Sequence, residues 1–105
     1  MDRRVVWTET AWADLEQIVT YIAKDSSNYA AAFAREALKA ARSLAQFSNR
    51  GREVPELADP DVREIFVRSY RLIYDVAVDV VHILGIVHGA RDLKALWDGE
   101  ERRGG

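Results

Sequence analysis

Apolar residues recur along this chain in two different periods. Ala11, Leu15, Ile18 and Ile22 follow one another at steps of four, three and four, which sets them on one face of a helix, while Asp14, Glu16 and Lys24 fall mainly elsewhere. Thr8 carries the hydroxyl an N-cap needs, so a first helix is predicted from Glu9 to about Asp25. Ser26-Ser27-Asn28 breaks the pattern. Asn28 is the expected cap of a second helix with Phe33, Ala37, Ala40, Ala41 and Leu44 along one side, and its many alanines admit a neighbouring helix at close range. A short loop between two such helices makes an antiparallel hairpin.

From Val62 the period changes. Arg63 to Leu93 is an almost unbroken run of strand formers, and strands usually span roughly 3 to 10 residues, so the run must fold back twice into a three-stranded antiparallel meander. Its breaks are expected at Arg68-Ser69 and around Ala77 to Asp79, although neither holds the Asn-Gly of a tight hairpin. Alternation puts Tyr70, Leu72, Tyr74 and Val76 on one face and Arg71, Ile73 and Asp75 on the other. One face is then core, and the other is free to carry a site. The last strand, near Val80 to Val87, is apolar on both parities and so central or covered on both faces. A short strand at Arg4 to Trp7 precedes the helices, and Gly51 and Pro55 mark a long charged loop before the meander. The expected order is strand, two helices, three strands, an α+β domain.

With 105 residues there is room for one core, expected within residues 1–98, followed by a polar, flexible tail over 99–105. The absence of cysteine excludes disulfides and thiolate metal sites. His82 and His88 stand six apart without a carboxylate at ligand spacing, and no glycine-rich phosphate loop occurs, so neither metal nor cofactor is expected. His82, inside an apolar run, reads as a satisfied core histidine. Neither a signal-peptide h-region nor an apolar run of about 18 residues is present, which points to a cytoplasmic protein without membrane insertion. A net charge of -2 and a pI near 5.7 argue against nucleic acid as the main partner and against direct sequence-specific binding to it. Twelve of the 15 basic residues are arginine, the side chain suited to planar recognition of carboxylate or phosphate.

Five segments, VVWTETAWADLEQIVTYI, GREVPEL, VREIFV, YRLIYDV and VHILGIVHGARDL, resemble the RelE/ParE toxin superfamily of bacterial type II toxin-antitoxin modules in order and spacing, over roughly residues 4 to 93. The resemblance implies a helical hairpin packed on one face of a curved antiparallel sheet. It also implies one of two activities: RelE-like members cleave mRNA in the ribosomal A site, and ParE-like members poison DNA gyrase without being nucleases. Metal-independent RNA cleavage needs a base for the 2′-OH, an acid for the leaving oxygen and cations for the phosphorane.

Against those requirements, Arg71 and Arg91 fall where RelE-like nucleases keep phosphate-binding arginines, and Arg63 falls near a position where they place a lysine. Their second lysine aligns near Ile65 and their C-terminal tyrosine with Trp97, whose indole exchanges no proton near neutral pH. His88 is a substitute base, since imidazole is the side chain suited to proton transfer near neutral pH. No lysine lies between Val62 and Leu93. These departures favour the ParE-like branch, a non-enzymatic gyrase inhibitor with Arg63, Arg71, His88 and Arg91 as target contacts. The same four would be catalytic in the alternative, an mRNA endonuclease, and a non-toxic relative serving only in autoregulation is a third class. Beside acidic neighbours such as Glu64, Asp75 and Asp92, the arginines also read as ion-pair residues. The resemblance implies a ParD-like antitoxin that folds on binding into a hetero-oligomer, and Trp12, Tyr21 and Tyr29 are the expected anchors for it.

Overall fold

The computed structural model of the chain describes residues 2–100, the last three by their backbone alone. Strand β1 (Arg4–Trp7) leads into helices α1 (Glu9–Ala23) and α2 (Ser27–Ser43). A two-residue strand β2 (Arg52–Glu53) and the meander β3 (Val62–Val67), β4 (Tyr70–Val76) and β5 (Val80–His88) follow, and helix α3 (Leu93–Glu100) closes the described chain. The α+β layout read from the sequence holds, with β2 and α3 as additions. The sheet is mixed rather than wholly antiparallel. Its order is β1-β5-β4-β3-β2, and β1 lies parallel to β5. A parallel pair needs a long crossover, and the helical hairpin with β2 to β4 supplies it.

Local chemistry explains the element ends. Thr8 Oγ1 accepts the Ala11 amide at 3.1 Å and donates to the Ile83 carbonyl at 2.8 Å, so one hydroxyl caps α1 and ties it to β5. Ser26 rather than Asn28 caps α2, accepting the Tyr29 amide at 3.1 Å. The polar triplet offered three caps, and the chain uses the first. Arg68 and Ser69 form the β3–β4 turn, where Arg68 adopts a left-handed φ of 56°. Its guanidinium stacks over the Tyr29 ring, 4.2 Å from the centroid, and pairs with Glu36, so α2 holds the strained turn from two sides.

Two cores sandwich the sheet. Beneath the helical hairpin lie Phe33, Leu72, Tyr74 and Ile83 with Ala11, Leu15, Ala37 and Ala41. On the opposite face, Val62, Ile73, Leu84 and Val87 pack against Val54 of the β2–β3 loop and against Leu93, Leu96 and Trp97 of α3. The face expected to be open is therefore covered over its centre. A bulge at Leu84 explains β5: Tyr74 pairs with Ile83 and Ile73 with Gly85, so Leu84 is skipped and turns to the α3 side while Ile83 and Ile86 share the hairpin side. Gly51 is required by close approach, since a Cβ there would lie 2.5 Å from the Tyr74 hydroxyl and 2.6 Å from the Glu64 carbonyl. The backbone of α3 extends through Gly99 and Glu100, two residues into the segment expected as tail, and residues 101–105 lie outside the described residues. Among the described residues no helix is long and apolar enough to cross a membrane.

Candidate functional site

Arg71 projects from the middle of the sheet toward the α3 side, and its side chain is 4% exposed. Nη1 donates to Glu56 Oε1 at 2.9 Å and Glu64 Oε1 at 3.0 Å, and Nη2 donates to Glu56 Oε2 at 2.6 Å and to the Arg91 carbonyl at 3.0 Å. Glu64 is wholly buried, and its other oxygen accepts from Arg52 at 2.7 Å. Two carboxylates thus enclose one guanidinium. The Arg71 hydrogen bond pulls the Glu56 pKa down to about 2, and the same bond raises that of Arg71. Arg71 Nε is buried without a partner among the described residues. Arg71 was expected on an accessible face, but β4 points it under the loop carrying Glu56 and the start of α3. It is an ion-pair residue, but buried rather than at the surface, with Glu56 and Glu64 as partners.

Of the other expected target contacts, only Arg91 reaches it, and then through its backbone carbonyl. Arg63 shares the parity of Ile65 and Val67, which pack on the hairpin side, and its Nη1 donates to the Gly51 carbonyl at 2.8 Å. It is thus on the opposite face of the sheet from Arg71. His88, paired with Tyr70 at the end of β5, also lies on the hairpin side; its ring meets Tyr70 edge-on at 5.6 Å, and its Nδ1 accepts the Ala90 amide at 3.2 Å. Arg63 pairs across with Tyr74, four residues from Tyr70 on β4, so roughly 13 Å of strand separates it from His88. Of the four expected target contacts, His88 and Arg91 line a common cavity of about 200 Å³, shared with Asp14, Gln17 and Tyr70. Asp14 already accepts the Ile86 amide at 3.0 Å there. Ile65 and Trp97, at the positions where the nucleases carry lysine and tyrosine, are buried in the two cores.

His82 is satisfied but is not a core residue. Its Nδ1 lies 2.9 Å from Asp75 Oδ1, its cross-strand neighbour on β4, and its side chain is 40% exposed. No group of three metal-ligating side chains occurs among the described residues.

The expected antitoxin anchors are all exposed, but they do not form one strip. Trp12 meets Trp7 edge-on, with ring centroids 5.5 Å apart, and is 44% exposed. Tyr21 stands nine residues further along α1, which at about 100° per residue is half a turn away, so the two flank the buried stripe on opposite sides. Tyr29, on α2, supports Arg68. The sequence reading passed over Phe66, which is 54% exposed with Arg52 stacked 5.4 Å from its centroid. Its shared parity with Glu64 on β3 was the available signal.

Comparison with known proteins agrees with this architecture. Residues 5–93 match the family model for the ParE toxin of the type II toxin-antitoxin system, parDE. Toxin RelE2 of Caulobacter vibrioides is 43% identical over 89 residues, which cover 84% of this chain and 97% of that protein. Among solved structures, the chromosomal ParDE toxin-antitoxin system of P. aeruginosa superposes with a TM-score of 0.68 at 24% identity, over 82% of this chain and 95% of that one. The RelBE2 toxin-antitoxin complex of Mycobacterium tuberculosis gives 0.59 at 23% identity, over 84% and 99%. At that level of identity the two structures speak to the fold.

Proposed function

This chain belongs to the ParE toxin family of type II toxin-antitoxin systems, and we propose that it acts as a non-enzymatic inhibitor of DNA gyrase in the cytoplasm, held in check by a ParD-like antitoxin. One observation carries the choice of mode: the central sheet arginine, Arg71, is closed off by Glu56 and Glu64. A phosphate seeking that guanidinium would have to displace a bidentate carboxylate and then sit beside a second, buried one. Like-charge contact in a desolvated site is costly, so the arrangement is poorly suited to stabilising a phosphorane. Ile65 and Trp97 supply no replacement for the missing proton-transfer groups.

The runner-up, a ribosome-dependent mRNA endonuclease, has one feature in its favour: His88 and Arg91 share a cavity, which sets an imidazole, a side chain able to take a proton, next to an anion-stabilising guanidinium. The relative named Toxin RelE2 keeps that reading in view.

Induction of the chain in a bacterial host separates the readings. Growth arrest with an SOS response, relieved by coexpressed antitoxin, is the expected result. Early loss of translation without SOS induction would replace gyrase inhibition with mRNA cleavage. Normal growth with confirmed soluble protein would mean a non-toxic binding partner.

A further inference from the structure

Strand β1 forms one border of the sheet, and part of its backbone is left over. The amides of Arg4 and Thr8 donate to the Asp79 and Ile83 carbonyls, at 3.0 and 3.1 Å, so by alternation Val5 and Trp7 turn their N–H and C=O groups away from the sheet. No hydrogen bond to those groups occurs among the described residues. The outward amide of Arg3 is different: it donates to the Ala45 carbonyl at 2.9 Å, which closes the edge at that point. The opposite border, β2, consists of the exposed charged residues Arg52 and Glu53, and short charged edges discourage pairing. β1 has no such protection. Val5, Val6 and Trp7 are apolar and only half-buried, with no proline or bulge among them, and Trp12 beside Trp7 is 44% exposed. Two exposed charges flank this stretch, Arg4 and Glu9, and neither makes an ion pair or side-chain hydrogen bond among the described residues.

We infer that β1 is a self-pairing edge, at which a second copy of this chain adds its own β1 in antiparallel register about a two-fold axis. Because the Arg3 amide is taken, the register that uses all the free groups sets Val5 of each copy opposite Trp7 of the other, each such pair exchanging both of its N–H···O bonds. The axis then passes between the two copies of Val6, which face each other without hydrogen bonds, at about 4.5 Å between Cα atoms. On the hairpin face, Trp7 of one copy covers Val5 of the other. The same register sets Arg4 opposite Thr8 of the second copy and so beside its Glu9, and the two-fold operation repeats that contact on the other side of the axis. Any extended peptide can add at an open edge, but a second copy leaves neither Arg4 nor Glu9 unpaired, and that complementarity selects it. The joined strands are short, so the product is a weak, concentration-dependent dimer.

The test is the sedimentation mass of the full-length chain over a concentration series. It is expected to rise from 11.9 kDa toward twice that value and to level off there. Val5→Pro removes one outward N–H while sparing the bonds to β5, and Val6→Lys sets two ammonium groups at the axis. Each is expected to raise the dimer dissociation constant about tenfold or more. Arg4→Glu is expected to weaken the dimer, and Arg4→Glu/Glu9→Arg to restore it. Circular dichroism shows whether each variant is folded, and if Val5→Pro misfolds, Val6→Lys and the charge exchange decide. A native chain that stays monomeric through the millimolar range overturns the inference, as does a dimer unchanged in the folded variants or a mass that grows past two chains. Loss of antitoxin binding in Val5→Pro, in a chain that never dimerises, would overturn it in favour of the antitoxin as the occupant of this edge.

Discussion

Glu56 and Arg71 meet fork to fork, at 2.9 and 2.6 Å, although one belongs to an irregular loop and the other to the centre of the sheet. The pair fixes more than itself. Glu56 Oε2 also accepts the Leu93 amide at 3.4 Å, and Arg71 Nη2 also reaches the Arg91 carbonyl, so loop, β4 and the start of α3 converge on one ion pair. Bidentate arginine–carboxylate contacts are among the stronger charge-assisted hydrogen bonds, and this one is shielded from solvent on the arginine side.

Its pH dependence follows from the direction of the shift. The Glu56 pKa is lowered, chiefly by the Arg71 hydrogen bond, from 4.5 to about 2. A depressed carboxylate stabilises the fold above its unfolded pKa, and that contribution is lost as pH falls through the folded value. Stability should therefore decline from about pH 4.5 to about 2, beyond what Glu56→Gln shows over the same range. Thermal melts of both proteins across that window check it, and parallel curves would remove Glu56 from the acid transition.

Arg71 and Arg91 should separate by their effect on stability. Removing Arg71 leaves the buried Glu64 carboxylate with Arg52 alone, and loss of one member of a buried pair typically costs about 3 to 5 kcal/mol. Arg91 is exposed, and truncating its side chain should leave stability within about 0.5 kcal/mol. Urea denaturation measures both, and if Arg71→Ala proves as stable as the native chain, the clamp assignment fails. Reduced growth arrest by folded Arg91→Ala would support a target contact at the His88–Arg91 cavity.

How far these features were legible differs by element. Both helices, the meander and the turn at Arg68-Ser69 follow from period and from strand-length limits, which a single segment carries. Strand β1 was readable too, but its parallel seat on β5 depends on residues more than 70 positions apart. The covering of the second face was missed for a similar reason. Leu93, Leu96 and Trp97 lie at the end of the expected domain with no element assigned to them until β4 and β5 present them with Ile73, Leu84 and Val87. Arg71 read as a surface residue because Glu56 and Glu64, 15 and 7 positions away, come within reach of it only after the loop folds back.

Gly51 gives a steric test. The Tyr74 hydroxyl donates to the Ser48 carbonyl at 2.8 Å and accepts the Gly51 amide at 2.9 Å, in a site where burial raises the Tyr74 pKa. Tyr74→Phe leaves buried polar backbone unpaired and should cost about 1 to 3 kcal/mol. Gly51→Ala should also destabilise, and Tyr74→Phe should not rescue it, because the new Cβ would still lie 2.6 Å from the Glu64 carbonyl. Full recovery in the double variant would show that the hydroxyl alone was the obstacle.

Of the expected aromatic anchors, Trp12 should matter most to antitoxin binding. Trp12 and Tyr21 flank opposite sides of the buried stripe of α1, so no single helix can cover both. Trp12 is preorganised by the edge contact with Trp7, whereas Tyr21 is 67% exposed among Glu16, Gln17, Thr20 and Lys24. An aromatic already held in place loses less conformational entropy on binding, which is what makes a side chain an anchor. Truncating a central anchor typically costs 2 kcal/mol or more, so Trp12→Ala should weaken antitoxin affinity roughly 30-fold, and Tyr21→Ala by less than about threefold. Calorimetric titration of the folded single variants decides the matter, and a larger loss at Tyr21 than at Trp12 would move the contact to the other flank of α1.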